Sequence, residues 1–190
     1  MATRQYTSGN LQRKSDFCVT YIPAKSGKII TTIHSKTAVL HGSKLHDICS
    51  TTLSDLHISY GRLEVTDTGG QYFVLKARIE AVVKAANPKT VAESLPEFKK
   101  HAHYKSRADR FRRSRLYLPG NQAKLMLNAG IHKPDAIILD LEDSVALAEK
   151  NTARLIVRNA LRTLDFFGAE RMVRINQGKI GLKDLEAVIP

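Results

Sequence analysis

The stretch Asp135–Arg154, DAIILDLEDSVALAEKNTAR, decides the fold of the second half of this 190-residue chain. Its first seven residues, Asp135–Leu141, form a nearly unbroken apolar run. Such a run suits a strand buried on both faces, as in parallel sheets covered by helices. Three carboxylates follow at Asp140, Glu142 and Asp143, where strand gives way to helix. The helix is expected over Ser144–Asp165, with Ala153, Ile156, Val157, Ala160, Leu161 and Leu164 inward. Arg154, Arg158 and Arg162 recur at every fourth residue and are expected on the opposite, solvated face.

Outward from this stretch the rhythm repeats. Ser114–Leu118 reads as a strand, Pro119-Gly120 as a turn and Asn121–Gly130 as a helix. Arg171–Ile175 reads as a third strand and Leu182–Ile189 as the start of another helix. Alternating βα units with short loops imply a parallel sheet or a (β/α) barrel. In such folds functional groups gather at the carboxyl ends of strands. Those ends hold Gly120, then Asp140, Glu142 and Asp143, then Arg174 and Asn176. An arginine beside acids suits a carboxylate-bearing substrate with a hard divalent cation. The spacing equally allows Asp143 or Ser144 to cap the long helix, and Asp140–Arg174 to be a structural ion pair.

The first part reads differently. Strands are expected at Asp16–Tyr21, Lys28–His34, Arg62–Thr66 and Tyr72–Leu75. An amphipathic helix over Lys36–Leu56, broken near Gly42, and a second over Ala77–Ala86 complete a small α+β domain. Asn87-Pro88 ends that helix. The expected division is a domain over 1–88, a basic linker over 89–112 and the βα region over 113–190.

The net charge of +12 is local. Between Lys99 and Arg115 stand eight basic residues and one acid, Asp109. A charge run between periodic segments is usually a solvated connector, and this one carries no RNA-binding signature or zinc spacing. No apolar run approaches the roughly 20 residues that span a bilayer. The polar N-terminus lacks a signal-peptide core, and Cys18 and Cys49 read as reduced thiols, so a cytoplasmic location is expected. His41, His46 and Cys49 match no zinc pattern.

Arg113-Ser114, Tyr117-Leu118-Pro119-Gly120, DLEDSVALAEKNTAR from Asp140, Val173-Arg174-Ile175-Asn176 and GLKDLEAVIP together resemble the citrate lyase β subunit, a citryl-CoA lyase of the HpcH/HpaI aldolase type. The resemblance implies the first three βα units of a (β/α)₈ TIM barrel that cleaves citryl-thioester to acetyl-thioester and oxaloacetate. It implies that Arg174 holds the oxaloacetate carboxylate. Gly120, Asp140, Glu142 and Asp143 would line the site or steady its Mg²⁺ through other ligands. The family's direct metal ligands fall on later strands, so the resemblance implies that these 190 residues alone are inactive. Malyl-type thioesters are alternative substrates for related barrels.

Residues 8–86 resemble the citrate lyase acyl carrier (γ) subunit. Gly9-Asn10-Leu11, Ser15-Asp16 before FCVTY, Val65–Gly70 and Leu75–Ala81 carry the resemblance. It implies phosphoribosyl-dephospho-CoA on a serine just ahead of an aspartate. Ser15 is the first choice and Ser8 the second, although Lys14 stands where the family's serine falls when counted back from Asp16. The implied partners are the citrate lyase α subunit and the other subunits of that complex. Two other readings remain: a non-catalytic, truncated acyl carrier protein, and a basic nucleic-acid-binding module.

Overall fold

The computed structural model describes residues 4–189. They form two compact units that divide between Leu95 and Pro96.

The first unit is a four-stranded sheet with two helices. Its elements are β1 (Tyr6–Ser8), β2 (Phe17–Pro23), β3 (Ile29–His34), α1 (Ala38–Asp55), β4 (Gly61–Asp67) and α2 (Tyr72–Ala86). The strand order is β1-β2-β4-β3. β4 runs antiparallel to β2 and parallel to β3. Alternation in β2 puts Phe17, Val19 and Tyr21 on the core face, with Val19 opposite Val65 and Tyr21 opposite Leu63. Helix α1 buries Leu45, Ile48, Cys49, Thr52 and Leu53, a stripe at helical spacing. Burial pushes the Cys49 thiol up to about 12, so it stays protonated and behaves as a small hydrophobe.

Two local expectations change here. Tyr72–Leu75 is the first turn of α2, not a strand, and Phe73, Val74 and Leu75 are all buried there. A short apolar run fits either element, and only its neighbours decide. Helix α1 passes through Gly42 unbroken, since one glycine costs a helix only about 1 kcal/mol. The polar N-terminus contributes β1, which pairs with β2.

A buried ion pair ties this unit across its chain. Asp16 is 4% exposed and Arg78 2%. Arg78 donates from Nε to Asp16 Oδ1 at 3.0 Å and from Nη2 to Oδ2 at 2.7 Å, and from Nη1 to the Ser8 hydroxyl at 3.2 Å. Asp16 Oδ1 also accepts the Phe17 N–H at 2.7 Å.

The second unit is a parallel sheet in the order β5-β6-β7, formed by β5 (Arg115–Pro119), β6 (Ala136–Asp140) and β7 (Glu170–Arg174). All five residues of β6 are buried, as its apolar run predicts. Around the strands lie α3 (Ala123–Leu127), α4 (Lys150–Thr163) and α5 (Gly178–Val188). The expected long helix is shorter than its pattern: Leu141–Ala146 is loop, and a 3₁₀ turn at Leu147–Glu149 leads into α4. Two of the three arginines assigned to its solvated face are buried instead, Arg154 at 7% exposure and Arg158 at 0%. Spacing alone cannot show that a helix is covered on a second side, here by α5.

The basic stretch is pinned to this unit, although its charges remain mostly exposed. The Lys99 N–H donates to the Arg162 carbonyl at 2.8 Å, and the Tyr104 hydroxyl to the Ala169 carbonyl at 2.6 Å. Arg171 donates to the Tyr104 carbonyl at 2.9 Å and stacks 4.4 Å over its ring. Arg112 pairs with Glu170, and Ala102 is fully buried. Arg171 of β7 reaches two backbone carbonyls of the run with its several donors, so a basic run can be held where charge counting predicts solvation.

Arg78→Ala should destabilise the first unit by about 3–5 kcal/mol, because it strands a buried carboxylate. Urea unfolding followed by circular dichroism measures this. A loss under about 1 kcal/mol would show the pair to be dispensable.

Candidate functional site

Pro119, Asp140 and Arg174 end the three parallel strands of the second unit and lie side by side in register. This row is the carboxyl end of the sheet, where parallel α/β folds build their sites. Asp140 is 5% exposed and organises the loop that follows it. Its carboxylate accepts the Glu142 N–H at 2.8 Å and the Ser144 N–H at 3.3 Å. Lys150 enters from the start of α4 and donates to the Leu141 and Glu142 carbonyls at 2.8 and 2.7 Å. The carboxylate triplet therefore sits on a loop held from both sides.

Arg174 is the cation of the cluster. It donates to Asp143 at 2.7 Å, pairs with Glu142, and lies 3.7 Å from Asp140. The hydrogen bond that Arg174 donates to Asp143 first, and then the surrounding carboxylates, raise its pKa further. The Asp143 side chain is 76% exposed, so its share in this cluster is the easiest to displace. Neither Asp143 nor Ser144 caps α4, whose N-cap position is Glu149. Among the described residues no group of three or more His, Cys, Asp or Glu side chains is placed to hold a metal ion. The carboxylates here face a guanidinium, which repels a second cation. They do not fit direct coordination of Mg²⁺.

Gly120 serves the site through packing. Its N–H donates to the Asp140 carbonyl at 2.8 Å, so that donor is already engaged. A Cβ at this position would come within 2.9 Å of the same oxygen and 3.0 Å of Val157.

Below the row lies a second layer of buried polar contacts. Asp184 of α5 is fully buried and accepts Arg154 Nε at 2.6 Å, the Asn176 backbone N–H at 2.7 Å and Asn176 Nδ2 at 2.8 Å. Asn176 Nδ2 also donates to the Leu141 carbonyl at 2.8 Å. One carboxylate thus ties α4, α5, the segment after β7 and the loop after β6 together. Burial raises the Asp184 pKa, but the bonds from Asn176 and then Arg154 outweigh it, and the net shift is downward. The sequence pattern gives Lys150 and Asp184 no role and puts Arg154 on a solvated face. Their signal was the density of charged residues inside otherwise apolar helical stretches.

In the first unit, Ser15 lies between β1 and β2 beside the buried ion pair. It is half-buried with φ 59°, and its N–H donates to the Thr68 carbonyl at 3.0 Å. The Thr68 hydroxyl reaches back to the Arg13 and Asp16 carbonyls at 2.7 and 2.8 Å. Ser8 is 8% exposed and its hydroxyl accepts from Arg78, so it lies inside the fold. Lys14 is exposed.

Comparison with known proteins assigns each unit. A family model described as HpcH/HpaI aldolase/citrate lyase matches residues 113–189. The second unit is similar to that family over these residues. An acyl carrier family described as malonate decarboxylase delta subunit matches residues 3–86. The citrate lyase β subunit of Haemophilus influenzae is 45% identical over 82 residues, which cover 42% of this chain and 28% of that protein. The Escherichia coli (strain K12) β subunit is 44% identical over 90 residues, covering 46% of this chain and 30% of its own length. Human mitochondrial citramalyl-CoA lyase is 39% identical over 80 residues, covering 41% and 24%. The chain thus spans less than a third of the length of these relatives. Among the described residues no helix is long and apolar enough to cross a membrane.

Asp184 sets an acid limit on this HpcH/HpaI-type unit. A carboxylate whose folded pKa is depressed contributes stability above its unfolded value, near 3.9, and loses it as pH falls through the folded value. Asp184→Asn should therefore destabilise the unit at pH 7, and the gap to the parent should close as pH drops below about 4. Denaturant melts at pH 7, 5 and 3 would check this. A gap that does not change with pH would show that charge on Asp184 is irrelevant.

Proposed function

We propose that this chain is a component of a citrate lyase-type system, joining an acyl carrier to the first βα units of a citryl-thioester lyase barrel. The observation that carries the reading is the cluster at the carboxyl end of the sheet, in a unit similar to the citrate lyase family. Arg174 stands there with a displaceable partner, Asp143, in front of it. A substrate carboxylate that takes the place of Asp143 gains a bidentate partner, and the cluster keeps its charge balance.

In the reaction implied, the bond between the hydroxyl-bearing carbon and the thioester α-carbon breaks. Its electron pair passes to the thioester as an enolate, which takes a proton. The hydroxyl loses its proton and becomes the ketone of oxaloacetate. Mg²⁺ would polarise that oxygen when bound, with donors from outside the described residues. Arg174 binds the departing keto acid, and Asp140 and Lys150 hold the loop beside it. Citramalyl-CoA lyase and (3S)-malyl-CoA thioesterase among the relatives support hydroxy-acid thioesters as the substrate class.

The carrier half of the reading rests on Ser15. Its loop projects between two strands and is anchored at both ends, so the attached arm would swing from a fixed base. Ser15 is the hydroxyl available for a phosphoribosyl-dephospho-CoA arm, whereas Ser8 is enclosed. The α subunit of citrate lyase and an acyl-thioester are the partners this reading names, in the cytoplasm.

Peptide mass mapping of the chain from a host that makes the prosthetic group should show the modification on Ser15, absent in Ser15→Ala. Modification of Ser8 instead would overturn the assignment. In a chain extended with the remainder of a lyase barrel, Arg174→Lys should lower kcat/KM for citryl-CoA by roughly ten-fold or more, because one ammonium replaces a bidentate fork. An extended enzyme indifferent to Arg174→Ala would reduce the arginine to a structural role.

A further inference from the structure

The first unit carries a cleft that the carrier reading leaves unused. It opens where the start of β3 faces the C-terminal half of α1 and has a volume of about 860 Å³. Small-molecule sites commonly occupy ~300–1,000 Å³. Its apolar lining is Ile29, Leu53 and Ile58, and Thr31, Ser50, Ser54 and Ser59 add hydroxyls. Lys28, His46 and His57 line it against one carboxylate, Asp47.

His57 has a backbone that a glycine would fit better. Its φ is 58°. Its N–H bonds to the Ser54 carbonyl and the Ile58 N–H to the Leu53 carbonyl, both at 2.9 Å. This pair of bonds ends a helix on a left-handed residue, and glycine is its usual occupant. A side chain other than glycine at such a position carries a steric cost, which makes its surroundings worth reading for a role. Here the side chain is an imidazole lining the cleft. The same two bonds satisfy carbonyls at the end of α1 that would otherwise oppose an anion.

We propose that this cleft binds a phosphate ester of nucleotide to phosphopantetheine size. The phosphate sits among Lys28, His46 and His57, and the less polar body lies along Ile29, Leu53 and Ile58. A basic trio over an apolar floor selects a molecule that is charged at one end and amphipathic along its length. Two sources share this chemistry: a free metabolite, and a phosphate-bearing arm carried by the chain itself. Ile29 pairs with Gly61 at one end of β4, whereas Ser15 meets Thr68 just beyond the other end. At ~3.3 Å per residue an arm on Ser15 would have to extend about 20 Å to enter. The proposal stands on the cleft and does not require Ser15 to be modified.

The experiment is an amide NMR titration of the unmodified chain with pantetheine 4′-phosphate, pantetheine and inorganic phosphate. Pantetheine 4′-phosphate should shift the amides of residues 28–31 and 54–59 saturably. Each half-ligand should bind about ten-fold more weakly or worse, since each lacks the charge or the apolar contact. Lys28→Glu should abolish saturable binding. His57→Gly should raise Tm, because glycine suits the turn, and still weaken binding about ten-fold. A residue kept only for the helix end would give the first effect without the second. The proposal fails if ~5 mM pantetheine 4′-phosphate moves no cleft amide, or if Lys28→Glu and His57→Gly both bind as the parent does. The same titration on chain carrying the prosthetic group separates the sources. Cleft amides already at their saturated positions identify the arm, and an unchanged titration identifies a free metabolite. Absence of the modification is read separately, by mass.

Discussion

The lyase-type unit depends on one buried carboxylate, Asp184. Its two oxygens accept from Arg154 on α4 and from both nitrogens of Asn176, while Asn176 in turn holds the Leu141 carbonyl. The loops bearing Glu142, Asp143 and Arg174 are thereby fixed from beneath. A buried ion pair adds little net stability over apolar packing. Its value here is directional, since each bond holds its two partners in one geometry, in addition to the buried Leu141 and Val145 of the same loop. Removing either partner leaves a charge inside the fold, so the arrangement tolerates loss of neither.

The carrier-type unit uses the same device independently. Asp16 and Arg78 are both nearly inaccessible, joined by two bonds, and separated by most of the unit's sequence. The pair fastens the loop holding Ser15 to the helix packed against the sheet. A hydroxyl that is to carry a long arm needs exposure without wandering, and an anchored loop supplies both. The two units thus place their candidate functional groups on short loops whose feet are buried ion pairs.

The basic segment shows how charge and location separate. The Arg110 guanidinium reaches the Gly168 carbonyl, while Arg171 of β7 donates to the segment's own Ala102 and Tyr104 carbonyls and packs over the Tyr104 ring. A stretch with these attachments carries positive charge outward while its backbone belongs to a folded unit. Seven of the chain's twelve net positive charges therefore fall in Lys99–Arg115, and they give no indication by themselves of a nucleic-acid partner.

Local pattern in the sequence was enough for the strands and for the strand ends. The unbroken apolar run before Asp140, with βα units on either side, reads as a strand covered on both faces, and the alternation in Phe17–Tyr21 reads as one covered on a single face. Carboxylates and an arginine at successive strand ends then fall on one edge, because parallel strands align their carboxyl ends. What pattern could not reach was whatever depends on a second covering layer. Arg154 and Arg158 read as solvated because periodicity marks one buried face and is silent about another. Tyr72–Leu75 read as a strand because four apolar residues carry no period. The roles of Asp184 and Arg78 required knowing which distant segments meet, since a charge is stable in the interior only beside its partner. That partner is chosen by tertiary packing.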